Sequence, residues 1–170
     1  QFTMITPESS GQVSIASQGT HNVTNALAAA ACGWLLGLEK EEIAAGLAAY
    51  RPVGMREKRY EKNGFTIYED CYNASPDSME AALKAMAEMT GERHIAVLGG
   101  MGELGDYAAE GHRRAGCTAA KYADMLLTYG ENTEYLREGA LAAGMDGAHI
   151  MDFDSHAALS DALRTLAQPG

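Results

Sequence analysis

At the start of the chain, the spacing of apolar and polar positions predicts a hairpin followed by two helices. Short β-leaning runs at 2–5 and 13–16 flank a turn-rich segment at 6–11. An alanine-rich stretch that begins at Asn22 predicts a largely buried helix with a glycine C-cap, and an acidic start predicts a second helix over 39–50. The residues that end these two helices are Gly37 and Pro52.

Further along, the pattern changes to an alternation of strands and helices. Asn63-Gly64 lies between strand-like runs at 57–61 and 65–70, which is a strong hairpin signal. The alternation that follows predicts an α/β fold, a Rossmann-like and mainly parallel sheet flanked by helices. Its elements are helix 76–89, strand 94–98, helix 107–122, strand 125–129, helix 133–143, strand 149–151 and helix 155–166. The change of pattern predicts a domain boundary near Gly54.

Composition and charge narrow the classes of function. The net charge of -10 and the pI near 4.9 argue against nucleic-acid and membrane partners, because phosphate-rich surfaces bind clustered Lys and Arg. Cys32, Cys71 and Cys117 have neither the spacing of a disulfide framework nor that of a metal site. No apolar run has the ~20 residues that a membrane span needs. We therefore expect a cytoplasmic protein, with no metal ligands in these residues.

A glycine-rich segment, Gly100-Met101-Gly102-Glu103-Leu104-Gly105, matches GxGxxG between a predicted strand and a predicted helix. Alone, it is typical of an NAD-dependent oxidoreductase domain. However, the next strand ends in Thr128-Tyr129-Gly130, without the acidic residue that binds a ribose hydroxyl in such domains. The alternative is a sharp turn at the carboxyl end of a strand, which is where open α/β sheets bind their ligands.

Four segments, in order along the chain, carry a resemblance to a known family. The first segment, 19–29, reads Gly-Thr-His-Asn-Val-Thr-Asn-Ala-Leu-Ala-Ala, and the second is Gly54-Met55-Arg56. The third, 70–79, reads Asp-Cys-Tyr-Asn-Ala-Ser-Pro-Asp-Ser-Met. The fourth is 97–105, which His112 follows. Together they resemble the Mur ligase family, and Tyr-Asn-Ala-Ser-Pro is similar to the members that add D-alanyl-D-alanine. In one departure, Gly100 stands where the family usually has Asp, which puts any role of that carboxylate in doubt.

The resemblance implies part of an ATP-dependent amide ligase of peptidoglycan precursor synthesis. Such an enzyme joins D-alanyl-D-alanine to UDP-N-acetylmuramoyl-tripeptide, with ATP and Mg²⁺ as cofactors, and we expect a monomer. The family's phosphate loop, magnesium ligands and other catalytic residues are expected upstream, since no GxxxxGK[ST] occurs here. We interpret 1–54 as the end of a central ATP-binding domain and 55–170 as a truncated C-terminal domain, inactive alone. The alternatives are another Mur-type step or a non-catalytic nucleotide-binding α/β module.

The resemblance also implies roles for individual residues. Asn22 and Asn25 would contact adenine, Arg56 the ATP phosphates and Asp70 the ribose hydroxyls. Helix capping is the alternative for Asn22, and a plain surface position is the alternative for Arg56. The residues expected to face D-alanyl-D-alanine are Tyr72, Asn73, Ser75, Gly102, Glu103 and Leu104. Those expected to give structural support are His21 and His112.

Overall fold

The computed structural model describes residues 1–5, 10–16, 20–51 and 54–167. Contacts between residues divide the chain into two compact units, Gln1–Gly54 and Met55–Gly170. Three of the sequence-based expectations lie wholly or mostly outside the described residues. They concern the turn at 6–11, Gly19 and the helix stop at Pro52.

The first unit contains a hairpin and two helices. Strand β1 (Phe2–Ile5) pairs antiparallel with β2 (Ser10–Val13), and helices α1 (Thr20–Leu35) and α2 (Lys40–Ala49) follow. The prediction of a second strand at 13–16 was wrong. Val13 ends the strand instead, because it pairs with Phe2 at the start of β1. The buried side chains that form the core of this unit are Met4, Val13, Ala30 and Ile43.

The helix ends in the first unit follow from capping chemistry. Gly37 follows α1 with φ of 84°, the left-handed conformation that glycine adopts without steric cost, so the predicted glycine C-cap is confirmed. Leu38 N–H donates to the Gly33 carbonyl at 3.0 Å, which satisfies one of the last carbonyls of the helix. Glu39 caps α2 and forms a reciprocal capping box with Glu42.

The second unit begins with a hairpin of its own. Strand β3 (Lys58–Lys62) pairs antiparallel with β4 (Phe65–Glu69), and the turn residues Asn63 and Gly64 have φ of 53° and 80°. Two successive positive φ values match a type I′ turn, which suits the twist of a two-residue hairpin. The hairpin predicted from Asn63-Gly64 is therefore confirmed.

A parallel sheet and its helices make up the rest of this unit. Among the described residues the sheet has the order β5-β6-β7, with strands β5 (Ile95–Gly99), β6 (Met125–Tyr129) and β7 (Ile150–Phe153), all parallel. The helices are α3 (Pro76–Ala87), α4 (Ala108–Tyr122), α5 (Thr133–Ala142) and α6 (His156–Leu166). The predicted α/β fold with a mainly parallel sheet is confirmed, although the β3–β4 hairpin forms a separate sheet.

Helices α4 and α5 pack with their backbones in direct contact. A Cβ atom added to Gly116 would overlap the Leu136 carbonyl, and one added to Gly139 would overlap the Arg113 carbonyl. Only glycine at both positions permits so close a crossing. This packing, together with the fully buried Leu126 and Leu127 of β6, fixes α4 and the loop that precedes it against the sheet.

Candidate functional site

The amino end of α3 is fixed by a reciprocal serine cap. Ser78 N–H donates to Ser75 Oγ at 3.2 Å, and Ser75 N–H donates to Ser78 Oγ at 2.9 Å. Pro76 occupies the first helical position, where a missing N–H costs nothing. The local sequence therefore determines where α3 starts, and with it the direction in which residues 70–74 approach the helix.

Residues 55–57 and 70–72 form a second fixed element, which we call the junction clamp. The Met55 carbonyl accepts hydrogen bonds from the N–H groups of Cys71 and Tyr72, at 2.9 and 3.2 Å. Glu57 N–H donates to Asp70 Oδ1 at 3.2 Å, and Glu57 has a left-handed φ of 49°. These three hydrogen bonds hold the end of β4 against the start of the second unit.

Arg56 and Tyr72 complete the junction clamp with a cation–π contact. The guanidinium carbon of Arg56 lies 4.2 Å from the centroid of the Tyr72 ring. Both side chains are exposed, with 61% of Tyr72 accessible to solvent. The contact keeps a permanent positive charge beside the carboxyl end of β4, where Asp70 supplies a negative one.

Tyr68 lies in an environment made negative by nearby carboxylates. Its pKa is raised strongly, first by burial and then by the charges of Glu57 and Asp70. A phenol next to two carboxylates resists ionisation, because a third negative charge is repelled in a partly desolvated place. The carboxyl end of β4 is therefore a locus of negative charge, which the Arg56 guanidinium offsets.

His112 holds the glycine-rich loop in place. Met101 N–H donates to His112 Nε2 at 2.9 Å, and the Ala108 carbonyl lies 2.7 Å from Nδ1. A carbonyl only accepts, so Nδ1 carries the proton and Nε2 is the acceptor. The ring is fully buried, and both of its nitrogens are committed to backbone groups. In this position His112 supports the loop and presents no free nitrogen to a ligand.

Gly100, the departure from the family pattern, has a steric explanation in this structure. A Cβ at this position would overlap the Glu131 carbonyl oxygen and lie 3.1 Å from the Glu131 nitrogen. Gly100 N–H also donates to the Tyr129 carbonyl at 3.2 Å, which keeps the two loops together. The backbone of residue 131 therefore fills the space in which an aspartate side chain would begin.

A pocket of ≈ 340 Å³ lies in the second unit, at the carboxyl ends of β4 and β5. One wall comes from residues 70–74 and α3, and the other comes from residues 97–100 with Gly102. Because open α/β sheets bind ligands at the carboxyl ends of their strands, this is the expected place for a binding site.

The structure brings four of the residues singled out in the sequence to this pocket: Asp70, Tyr72, Asn73 and Gly102. Ser75, Glu103 and Leu104 are not among the lining residues. Ser75 is engaged in the helix cap, while Leu104 packs against the core cluster that contains Met79 and Met101. Glu103 is exposed, with a left-handed φ of 61°.

Sequence reasoning missed part of the lining, notably Cys71, Ser78, Met79 and Val97. Ser78 carried a signal, since it lies three residues after the N-cap Ser75 and so belongs to the first turn of α3. No sequence signal marked Val97 as a lining residue, because its position depends on how β5 is placed relative to α3. The pocket itself is a product of tertiary structure.

The first unit has a pocket of its own, of ≈ 450 Å³, between α1 and α2. Asn22 and Asn25 line it, together with mainly apolar side chains such as Ala26, Ile43 and Leu47. The Nδ2 group of Asn22 donates to Nε2 of His21 at 3.0 Å. Two amides at the rim of an apolar cleft suit a flat, polar-edged heterocycle, because an amide group both donates and accepts.

Three negative findings hold for the part of the chain that the structure describes. No cluster of three or more His, Cys, Asp or Glu side chains is arranged to hold a metal ion. No described helix is long and apolar enough to cross a membrane. Cys32, Cys71 and Cys117 are free thiols.

The second unit is an α/β domain with a pocket at the carboxyl ends of its strands. Residues 55–170 match the family model described as "Mur ligase, glutamate ligase domain". The chain therefore belongs to the Mur ligase family, as the four sequence segments indicated.

Curated relatives carry the name UDP-N-acetylmuramoyl-tripeptide--D-alanyl-D-alanine ligase. The one from Synechocystis is 38% identical over 156 residues, which are 89% of this chain and 33% of that protein. The one from Bacillus subtilis is 40% identical over 72% of this chain and 28% of its own length. A crystal structure of MurF from Acinetobacter baumannii matches with a TM-score of 0.83 and 30% identity, over 96% of this chain and 36% of that one. The chain thus spans about a third of the length of these relatives.

Proposed function

We propose that this chain is the C-terminal part of an ATP-dependent ligase that joins D-alanyl-D-alanine to UDP-N-acetylmuramoyl-tripeptide, a step of peptidoglycan precursor synthesis. The observation that carries the proposal is the pocket at the end of β4, lined in part by segment 70–79, which resembles the members adding D-alanyl-D-alanine. The names of the Synechocystis and Bacillus subtilis relatives support it. In the proposal, residues 1–54 end a central ATP-binding domain and residues 55–170 form the C-terminal domain.

In this proposal the nucleotide is ATP. The Asp70 carboxylate accepts hydrogen bonds from ribose hydroxyls, and its bond from Glu57 N–H leaves further acceptor sites free for them. The Arg56 guanidinium contacts the phosphates, and Asn22 and Asn25 contact the adenine edge. Mg²⁺ binds through residues of the longer protein upstream of this chain. ATP supplies the phosphoryl group that activates the tripeptide carboxylate.

The second-unit pocket suits a small dipeptide. D-alanyl-D-alanine offers two methyl groups, one amide, an amine and a carboxylate, so recognition must come mostly from backbone-like polar groups. The pocket provides an amide side chain at Asn73, a backbone wall at 99–100 with Gly102, and apolar contact from Met79 and Val97. Polar and apolar groups that converge in one concave pocket are typical of small-molecule sites.

The proposed reaction has two steps. The γ-phosphoryl group of ATP passes to the tripeptide carboxylate, which gives an acyl phosphate and ADP. The amine of D-alanyl-D-alanine then attacks the acyl carbon, the C–O bond to phosphate breaks, and the amine loses a proton as the amide forms. Binding the dipeptide and the nucleotide in fixed positions would orient the reactants and exclude water from the acyl phosphate.

The proposal extends to the cellular setting. We place the enzyme in the cytoplasm as a monomer, with small-molecule substrates and neither nucleic acid nor membrane as partners. Free thiols at all three cysteines and the net charge of -10 are compatible with this setting.

A direct test uses the longer protein encoded by the gene that contains this sequence. Incubated with ATP, Mg²⁺ and UDP-N-acetylmuramoyl-tripeptide, it should release phosphate only when D-alanyl-D-alanine is added, and not with D-glutamate or a diamino acid. Phosphate release only with D-glutamate or a diamino acid, each offered with a shorter UDP-N-acetylmuramoyl acceptor, would assign a different Mur-type step. The 170-residue chain alone should show no ligation, and ligation by it would contradict the proposed division into domains.

A further inference from the structure

The Arg56–Tyr72 stack leaves the donor groups of the guanidinium available. Stacking uses the flat face of the guanidinium, whereas its N–H groups point outward in the plane of the group. With Cζ 4.2 Å from the ring centroid, the guanidinium lies over the ring of Tyr72. The ring holds the cation without acting as a conventional acceptor, so N–H groups of the guanidinium can still donate to an anion.

The backbone of Tyr72 is itself held in place. Its backbone N–H is bonded to the Met55 carbonyl, next to the residue that carries the guanidinium. The adjacent bond from Glu57 N–H to Asp70 fixes the other side of Arg56. Arg56 and Tyr72 thus lie on the two facing segments of the junction clamp, so a substitution of the ring removes the support of Arg56 without cutting these backbone bonds.

We propose that Tyr72 is a positioning residue for Arg56, and that its ring presents the guanidinium to the phosphates of the nucleotide. This inference rests on the proposed function and replaces the expected role of Tyr72 as a contact of the amino substrate. A long, exposed arginine side chain otherwise samples many rotamers, and ordering it at the moment of binding costs affinity. Because the ring of Tyr72 already orders the guanidinium before the nucleotide binds, part of this entropic cost is avoided.

The test compares the parent, Tyr72→Leu and Tyr72→Phe in the longer protein by steady-state kinetics. Tyr72→Leu should raise KM for ATP about three- to fivefold, the size of an exposed cation–π contact. KM for D-alanyl-D-alanine should stay the same. Tyr72→Phe keeps the ring and should stay within about twofold of the parent. Tyr135→Leu, which removes the ring 4.7 Å from Arg113 between α4 and α5, is a matched control that should leave both constants unchanged.

Arg56→Gln adds a second arm to the test. Glutamine removes the cation on which the contact with Tyr72 depends, so Arg56→Gln should already include the loss caused by Tyr72→Leu. The double substitution Arg56→Gln/Tyr72→Leu should then be no worse than Arg56→Gln, which is the signature of coupled residues. Independent, additive losses would overturn the inference. So would a rise in KM for D-alanyl-D-alanine with KM for ATP unchanged, which would return Tyr72 to the amino-substrate site.

Failure of the proposed function can be told apart from failure of this inference. If the longer protein forms no amide bond with any amino substrate, the ligase assignment fails. MgATP binding by the same protein, measured calorimetrically, then decides the role of Tyr72, because equal affinities for the parent and Tyr72→Leu would overturn it. NMR of the 170-residue chain checks the contact itself: the Arg56 side-chain protons should show a ring-current shift that Tyr72→Leu abolishes and Tyr72→Phe retains.

Discussion

The carbonyl oxygen of Glu131 occupies the space next to Gly100 in which any side chain at that position would begin. The two loops that follow β5 and β6 therefore approach each other through a glycine, and Gly100 N–H bonds to the Tyr129 carbonyl in the same region. At the position where the family usually has aspartate, this chain has a direct contact between two backbone segments. Introducing aspartate at position 100 should therefore lower the stability of this protein.

We expect Gly100→Asp and Gly100→Ala both to destabilise the second unit, by about 1–3 kcal/mol, because the backbone of residue 131 must move. Chemical denaturation monitored by circular dichroism measures the change in the free energy of unfolding. Gly102→Ala is the matched control, since no atom lies within 4 Å of its added Cβ. Its effect should be within about 1 kcal/mol. Equal effects at the two glycines would show that residue 131 does not restrict Gly100.

The α4–α5 crossing leads to a second prediction. Gly116→Ala and Gly139→Ala place a methyl group against a carbonyl of the facing helix, so each should cost about 1–3 kcal/mol or more by forcing the helices apart. Gly46→Ala, in α2, meets no atom within 4 Å and should instead stabilise its helix by about 0.5–1 kcal/mol. Thermal unfolding of the three variants separates a steric effect from one of helix propensity. Stabilisation by Gly116→Ala would contradict the observed crossing.

Ser75 and Asn73 allow a stability effect to be separated from a binding effect. Ser75→Ala removes the cap of α3 and should cost about 1 kcal/mol of stability, with KM for D-alanyl-D-alanine in the longer protein unchanged. Ser75→Asp keeps an acceptor for the Ser78 N–H and should recover most of that stability. Asn73→Ala should have the opposite effects. It should raise KM for D-alanyl-D-alanine severalfold, because one hydrogen bond to the substrate is lost, and it should change stability little. A KM effect at Ser75 equal to that at Asn73 would place Ser75 among the substrate contacts.

The sequence predicted those features that depend on local chemistry. Asn63-Gly64 specifies its turn through backbone conformation, and Ser75-Pro76 specifies a helix start through capping, so both were found. The prediction of a strand at 13–16 was wrong because the bounds of a short strand depend on its pairing with the partner strand more than on its own composition.

The candidate site was accessible from the sequence only in part. Asp70, Tyr72 and Asn73 closely follow a strand, so their position at its carboxyl end could be predicted. Val97 reaches the pocket through the placement of β5 against α3, and the restriction on Gly100 comes from the loop that follows the next strand. Contacts of this kind depend on packing between elements, which hydrophobic periodicity does not encode.

Tyr68 provides a prediction about alkaline pH. Burial and the charges of Glu57 and Asp70 raise its pKa in the folded protein above the ordinary value of about 10 that applies in the unfolded chain. The unfolded chain therefore releases this proton first as the pH rises. The stability that comes from the neutral phenol is fully present below about pH 10 and is lost progressively above it. Tyr68→Phe cannot ionise, so it should lose less stability than the parent between about pH 8 and about pH 11, measured by urea denaturation at each pH. Parallel pH profiles of the two proteins would show that neither burial nor the carboxylates of Glu57 and Asp70 raise the pKa of Tyr68.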